Sequence, residues 1–285
     1  MQNLKNSWAL VTGASSGIGE EYAKQLAERG LNVIVVARRA DRLQALKEKL
    51  EKLYSVRIDT IAADLLQENA CQEVFEKATA DGRQIQVLIN NAGMGNYGPF
   101  LEQSLDVHLK TIQLNIVSLT KLTYLFTQHM LAHQKPSYVT NIASVAAYQA
   151  IPYFGVYTGS KKYVKDLTDT LNYEYKKTNV HFTCVSPGGT YTEFMDHAGQ
   201  VLKKSAHMGM MPAENVARIG IRAMFCKKSS VVTGCLNKIV TFLPRFFPTK
   251  WSICIGHCAM QSTVSIQGKE GEESNKGSKS SCCAH

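Results

Sequence analysis

The stretch WALVTGASSGIGEEYA, residues 8–23, changes its hydrophobic pattern at a cluster of glycines. Its first part, WALVTGA, is short and apolar, which predicts a buried strand. From Ile18 onward, apolar residues recur at helical spacing as far as Gly30, a suitable helix terminator. The stretch therefore predicts a strand, a glycine turn and a helix in immediate succession.

The glycine turn itself indicates an anion site. Glycine permits positive φ and close approach of the backbone to a ligand, and the start of a helix presents free N–H groups to an anion. At the first strand and first helix, this arrangement favours the pyrophosphate of a dinucleotide; a purely structural turn is the alternative. The residues assigned to the cofactor are Gly13, Ser15, Ser16, Gly17, Ile18 and Gly19.

The end of the second predicted strand, LNVIVVA (31–37), selects between cofactors. An acidic residue there would bind the ribose hydroxyls of NAD, but Arg38 and Arg39 follow this strand. Arginine pairs with a 2′-phosphate that a carboxylate would repel. The sequence thus predicts NADP(H), the alternative being that both arginines only solvate a loop. Asp64, after the third predicted strand, is placed to meet the adenine edge.

Strand-like and helix-like segments alternate through the first 190 residues. Alternation implies parallel strands joined by right-handed crossovers, and nearly continuous apolar strands imply a sheet covered on both faces. The predicted fold is α/β: a doubly wound Rossmann-type parallel sheet of about seven strands with helices on both faces. The further strands are predicted at 56–64, 86–93, 137–144, 180–189 and 230–234.

Composition and charge narrow the functional classes. The chain has 285 residues, 45% hydrophobic, and eight mostly scattered cysteines typical of reduced thiols in a cytosolic protein. Cys254, His257 and Cys258 lack a second ligand pair, so no metal is predicted. The net charge of +9 could attract an anionic partner, but without a binding motif no nucleic acid is predicted. No secretory signal or membrane-spanning run is found.

Tyr157 and Lys161 in GVYTGSKKYV (155–164) are four positions apart and would share one face of a helix. An ordinary surface pair is one explanation. The other explanation is a phenol that exchanges its proton during a reaction. A cation ~4 Å away, at an effective dielectric constant of ~20, stabilises the phenolate by about 4 kcal/mol. That would lower the pKa of a tyrosine by up to about three units.

Taken together, several motifs resemble those of the short-chain dehydrogenase/reductase family, over roughly residues 5–235. Their order and spacing match, including the thirteen positions from Ser144 to Tyr157. The matching pieces are TGASSGIG (12–19), NNAG (90–93), Asn115, Ser144, YTGSK (157–161) and SPGGTYT (186–192).

The resemblance implies a role for each catalytic residue. Tyr157 would be the general acid/base and Lys161 would bind the nicotinamide ribose. Ser144 would hydrogen-bond the substrate oxygen, and Asn115 would bend its helix and hold a water leading to Lys161. Further cofactor contacts are implied for Asn91, Ala92, Gly93, Pro187, Gly188 and Thr192.

Segment 189–212 is expected to form a methionine-rich, apolar lid over the substrate. A small lipophilic ketone or alcohol is therefore the predicted substrate. Candidates for the pocket walls, each of which could equally be core, are Tyr97, Phe100, Tyr148, Tyr153 and Phe154.

The resemblance fades after residue 235. Segment 236–260 is apolar and aromatic, with three basic residues and no acid. It could lie on an anionic membrane surface, close over the substrate pocket or pack between subunits. Residues 261–285 read as a disordered tail, in which Cys282 and Cys283 are candidates for acylation.

The leading hypothesis is an NADPH-dependent oxidoreductase that is cytoplasmic or peripheral at a membrane. The alternatives are a catalytically silent NADP-binding regulatory protein and a membrane-tethered scaffold. A homodimer or homotetramer through the long helices is common in such enzymes, but residue spacing alone does not show one here.

Overall fold

The computed structural model describes residues 4–194, 200–202 and 210–266. Strands and helices alternate as predicted. The strands are β1 (Trp8–Thr12), β2 (Asn32–Ala37), β3 (Ile58–Ala62), β4 (Ile85–Asn90), β5 (Ser137–Ile142), β6 (Val180–Ser186), β7 (Thr190–Tyr191), β8 (Gln200–Leu202), β9 (Met211–Pro212), β10 (Ser230–Val232) and β11 (Val264–Ile266). The helices are α1 (Gly17–Glu28), α2 (Ala40–Leu53), α3 (Ala70–Thr79), α4 (Leu105–Ile112), α5 (Leu119–His133), α6 (Gly155–Glu174), α7 (Ala213–Phe225), α8 (Cys235–Phe242) and α9 (Thr249–Thr263).

Seven strands form one parallel sheet in the order β10-β6-β5-β4-β1-β2-β3. The predicted doubly wound fold is confirmed. The chain runs outward from β1 to β3 and then returns to β4 on the other side of β1. This reversal creates a crevice beyond the carboxyl ends of β1 and β4, where α/β sheets bind ligands.

The sheet is covered on both faces by separate apolar cores. Neighbouring residues of β1 enter different cores: Val11 packs with Tyr22 of α1, whereas Leu10 packs with Val74 of α3 and Phe126 of α5. All five side chains are fully buried. This is why β1 is apolar at successive positions instead of alternating with polar residues.

The long helix expected around residue 115 is not regular. A π-helical segment, Gln113–Ser118, separates α4 from α5 and contains Asn115. A π-helix displaces the backbone locally and is frequent at functional sites. The π-helical segment lies where the family resemblance implies a local bend at Asn115.

The C-terminal region forms two helices, α8 and α9, with a short 3₁₀ turn at Leu243–Phe246 between them. The prolines at 244 and 248 fall in this break. Ordered structure continues past the predicted tail boundary at 261, because α9 extends to Thr263 and β11 pairs antiparallel with β8. Residues 267–285, including both candidate acylation cysteines, lie outside the described residues. Among the described helices, none has the length and apolar character needed to cross a bilayer.

Candidate active site

The glycine turn follows β1 and leads directly into α1. Gly13 has φ +65° and Gly17 has φ +57°, in the left-handed region that favours glycine. A Cβ on Gly19 would overlap the backbone oxygen of Gly13. Gly13 and Gly17 line a large cleft, whereas Gly19 is buried behind the turn. Gly19 therefore has a packing role in the turn, and its contact with the cofactor stays a prediction.

The ends of β1 and β4 are tied together beside this turn. Thr12 Oγ1 accepts hydrogen bonds of 3.0 Å from the backbone N–H groups of Asn91 and Ala92. Asn91 Nδ2 donates to the backbone oxygens of Thr12 (3.0 Å) and Gly13 (3.2 Å). The Asn91 side chain therefore holds the glycine turn in place, a role beyond the cofactor contact that the resemblance implies for it.

The two arginines after β2 lie at the same end of the cleft but differ in their surroundings. Arg38 is exposed. Arg39 Nη2 donates to Ser15 Oγ (2.9 Å) and Ser16 Oγ (3.0 Å), and its Nη1 pairs with Glu193 Oε2 at 2.8 Å. Arg39 thus closes over the phosphate turn, and Glu193 is a site residue that the sequence had not singled out.

The remaining predicted cofactor contacts line the same cleft. Asp64 Oδ1 accepts a hydrogen bond from the Leu66 N–H at 3.2 Å, so its carboxylate is held at the end of β3. A Cβ on Gly17 would lie 2.7 Å from the Thr192 methyl carbon, which places Thr192 directly over the phosphate turn. The cleft-lining members of this set are Asp64, Asn91, Ala92, Gly93, Pro187, Gly188 and Thr192.

Tyr157 lies in the first turn of α6, at the inner part of the cleft, and is only 9% exposed. Its ring stacks on Phe154 at 4.3 Å between centroids and packs against Phe194 at 5.6 Å. Burial raises the pKa of Tyr157 to about 12, and a hydrogen bond with Ser144 opposes this shift. Ser144 follows β5, where its Oγ also accepts from the Ala146 N–H at 3.1 Å.

Lys161 lies one turn further along α6, with Nζ 5.7 Å from the Tyr157 ring centroid. Its ammonium donates to the Ile142 backbone oxygen at 2.9 Å. Burial lowers the pKa of Lys161 to about 8. The expected lowering of the Tyr157 pKa by Lys161 is therefore wrong for this arrangement: the cation is held on a carbonyl and is itself desolvated, and desolvation of the phenolate dominates.

Asn115 is 1% exposed and its amide is fully engaged. Its Oδ1 accepts from the Met94 N–H at 2.9 Å, and its Nδ2 donates to the Met94 oxygen (2.8 Å) and to Ser160 Oγ (2.9 Å). A Cβ on Gly93 would lie 3.3 Å from both Asn115 Oδ1 and Lys161 Nζ. Asn115 therefore holds the loop after β4 against α6, beside the lysine.

The inner end of the cleft has apolar walls. Of the five aromatic candidates, Phe154 lines the cleft and Tyr97 packs in the cluster behind it. The ring of Tyr153 packs edge-on against the ring of Tyr97, with 6.1 Å between their centroids. Phe100 is largely exposed and stacks on a histidine, and Tyr148 lies under a lysine. Wall residues that sequence reasoning missed are Ile151, Phe194 and Met260.

Of the predicted lid, the structure describes 189–194, 200–202 and 210–212. Met210 lines the cleft, and β7 pairs with β9 through Thr190 and Met211. Met195 and Met208 lie outside the described residues. At the positions that can be described, the segment borders the cleft; its role as a lid over the substrate stays a prediction.

The whole cleft has a volume of about 1360 Å³ and joins the glycine turn to Ser144, Tyr157 and Lys161. Its outer end has backbone N–H groups and cations for phosphates, and glycines where a side chain would fill the cradle. Its inner end has a phenol, a hydroxyl and an ammonium among apolar side chains. These residues fit a nicotinamide dinucleotide, whose phosphates the outer end would hold.

Comparison with known proteins agrees with this geometry. Residues 7–202 match the family model described as short chain dehydrogenase. The human 17-beta-hydroxysteroid dehydrogenase type 3 is 31% identical over 236 residues, covering 81% of this chain and 75% of that protein. The mouse very-long-chain 3-oxoacyl-CoA reductase is 32% identical over 246 residues, covering 84% and 76%.

A solved structure shows the same similarity. The short-chain dehydrogenase from Sphingobium yanoikuyae in complex with NADPH superposes with a TM-score of 0.74 at 27% identity, covering 85% of this chain and 96% of that one. With the family model matching more than half of the residues and the cleft built as described, the chain belongs to the short-chain dehydrogenase family of oxidoreductases.

Proposed function

We propose that this protein is an NADP(H)-dependent oxidoreductase that interconverts a lipophilic ketone and its alcohol. The observation that carries the proposal is the Tyr157 phenol, hydrogen-bonded to Ser144, at the point where the dinucleotide cleft meets apolar walls. A nicotinamide cofactor, when bound, supplies or accepts the hydride. The chain itself must then bind the substrate oxygen and move one proton.

Tyr157 and Ser144 meet that requirement. A phenol with its pKa raised to about 12 is protonated near neutrality, which is the form that donates a proton to a carbonyl oxygen during reduction. Ser144 Oγ, beside it, can hydrogen-bond the same oxygen. For alcohol oxidation the same pair would work in reverse, with the phenolate accepting the proton.

Two groups of residues support the choice of ligands. Arg38 and Arg39 supply cations, with no acid at the end of β2, which suits a 2′-phosphate. The walls formed by Ile151, Phe154 and Phe194 suit an apolar substrate. Relatives named for hydroxysteroids and for very-long-chain 3-oxoacyl-CoA are compatible with a steroid-like or acyl ketone here.

The test is NADPH consumption against a panel of steroid ketones, acyl thioesters and aldehydes. Tyr157→Phe should lower turnover by about 10³-fold, within the range for loss of a general acid, while the NADPH dissociation constant stays unchanged. Tyr163→Phe is a matched control, since Tyr163 is on the same helix, does not line the cleft and has its hydroxyl hydrogen-bonded to Thr120 at 2.9 Å. Turnover that survives Tyr157→Phe would contradict the mechanism, and no turnover on the whole panel would favour a silent regulatory protein.

We further propose that α8 and α9 contact an anionic membrane surface. One side of this pair covers the substrate end, where Met260 lines the cleft and a Cβ on Gly256 would lie 3.3 Å from the Gln149 side chain. The pair also exposes large apolar residues together with Lys238 and Lys250. Those apolar residues are Leu236, Ile239, Val240, Phe242, Leu243, Phe246, Phe247, Trp251 and Ile255.

Such a surface suits insertion at the boundary between headgroups and acyl chains, with lysines on anionic lipid. Flotation with phosphatidylserine vesicles at low salt should carry the protein upward, and Phe246→Ser with Trp251→Ser should abolish this. Leu101→Ser, at a 91% exposed residue on another surface, is the control. A wild-type protein that stays at the bottom of the gradient would refute membrane contact. If the variant no longer floats but keeps its turnover, the scaffold alternative is refuted.

A further inference from the structure

Glu193 is held between two guanidinium groups at the outer end of the cleft. Its Oε2 pairs with Arg39 Nη1 at 2.8 Å, and its Oε1 pairs with Arg42 Nη1 at 2.5 Å. Hydrogen bonds from Arg42 and Arg39 lower the pKa of Glu193 to about 2. The side chain is therefore a carboxylate at any pH at which the protein would work, although it is 39% exposed.

Glu193 pairs with Arg39, whose guanidinium group also closes over the phosphate turn. Arg39 Nη2 bonds to the hydroxyls of Ser15 and Ser16, while its Nη1 faces Glu193. Arg38, the other cation after β2, lines the same part of the cleft. An anionic ligand that binds there would need these cations, and the carboxylate of Glu193 is already paired with them.

Glu193 also lies on a segment shared by both ends of the cleft. Its neighbour Thr192 packs against Gly17 of the phosphate turn. Its other neighbour, Phe194, packs against the Tyr157 ring at 5.6 Å. A change in the pairing of Glu193 would therefore affect the position of Phe194, the next residue, which forms part of the apolar wall.

From this arrangement we propose that Glu193 is an internal competitor for the 2′-phosphate of NADP(H). The phosphate takes over Arg39 and Arg42, Glu193 leaves them, and the segment Thr190–Phe194 is released from the cofactor end. This role rests on the proposed use of NADP(H). It makes Glu193 a determinant of cofactor specificity that weakens NADP(H) binding and links the 2′-phosphate to the substrate wall.

Two cofactor fragments separate this role from a simple positioning role. 2′,5′-ADP contains the 2′-phosphate and 5′-AMP does not. Isothermal titration calorimetry of wild type and Glu193→Gln should show 2′,5′-ADP binding about three- to tenfold tighter in the variant, the size expected for loss of two partly exposed ion pairs. Binding of 5′-AMP should change by less than about twofold.

Asp59→Asn is the matched control, because it removes the same charge from a similar arginine pair, Asp59–Arg83 at 2.6 Å, that does not line the cleft. Its affinities should equal those of the wild type. Unchanged or weaker 2′,5′-ADP binding in Glu193→Gln would overturn the competitor role and show that Glu193 orients the arginines. Equal affinity of wild type for both fragments would instead refute the NADP(H) proposal, and the competitor role with it.

Hydrogen–deuterium exchange gives a second, independent readout in the wild-type protein. Saturating 2′,5′-ADP should speed amide exchange in peptides covering residues 190–194, because the carboxylate loses both ion pairs, and 5′-AMP should not. Exchange that becomes faster with 2′,5′-ADP but not with 5′-AMP supports displacement of Glu193 from the arginines. Equal exchange with both fragments means that Glu193 keeps its partners, and this would overturn the proposal.

Discussion

The outer and inner ends of the cleft are built from different parts of the chain. The outer end, which suits the dinucleotide phosphates, consists mainly of backbone and short side chains within the first 93 residues, centred on Gly13, Gly17 and Asn91. The inner end, which suits the substrate, consists of side chains from loops and helices far apart in sequence, such as Ile151, Phe194 and Met260.

This contrast has a physical consequence. A cradle made of backbone tolerates no added atoms, so single substitutions there should have large effects. A wall made of several apolar side chains shares its contacts, so each residue should contribute little. Tyr157 and Lys161, which lie between the two ends, are buried ionisable groups, and their substitution should change how stability depends on pH.

The largest effect on cofactor affinity is expected for Gly19→Val. The new side chain would overlap the Gly13 carbonyl oxygen, which is backbone and cannot move aside cheaply. NADPH affinity should fall at least about 100-fold, a difference of about 2.7 kcal/mol, as measured by fluorescence titration. Gly155→Ala is the control, because a Cβ there meets nothing within 4 Å. Similar NADPH affinities for the two variants would show that the turn is not a tight cradle.

The next effect concerns Lys161. Its pKa is lowered to about 8 in the folded protein from 10.5, so between these values the unfolded chain binds the proton and the folded protein does not. Stability should therefore rise with pH across this interval. Relative to Lys161→Met, the wild-type free energy of unfolding should increase by about 3 kcal/mol. Urea unfolding of both proteins at pH 7.5 and 10.5 measures this. Parallel pH profiles would mean that Lys161 keeps an ordinary pKa.

A smaller effect is expected for Arg38→Ala at the outer end. Loss of a charged hydrogen bond to the 2′-phosphate should raise the NADPH dissociation constant about tenfold. NADH binding should not change. Arg57→Ala removes an arginine that instead lies over Trp8, and it should affect neither cofactor. If NADH and NADPH lose affinity equally, Arg38 does not contact the 2′-phosphate.

The smallest effect is expected at the inner wall. Met260→Ala should raise the KM for a lipophilic ketone about threefold, since it removes part of one apolar contact. The kcat and the NADPH affinity should stay constant. Cys258→Ala on the exposed side of α9 is the control. A KM that is insensitive to Met260→Ala would mean that α9 does not touch the substrate.

The same contrast explains which parts of the site could be predicted. The motif residues of the outer end lie next to strand ends, and a parallel sheet brings strand ends together by its topology alone. Hydrophobic periodicity was therefore enough to predict the fold and to group Gly13, Arg38 and Asp64, whereas Asn91 was assigned through the family resemblance. The packing of Gly19 and the hydrogen bonds of Asn91 could not be predicted, because they depend on close contacts between β1, β4 and α1.

The order of strands and helices, the glycine turn and the Ser144–Tyr157–Lys161 spacing follow from local pattern, because periodicity and backbone freedom are properties of neighbouring residues. The pairing of Glu193 with Arg39, the place of Met260 in the substrate wall and the raised pKa of Tyr157 do not. They depend on which distant groups share a buried volume and how much water is excluded from it, and these follow from packing in three dimensions.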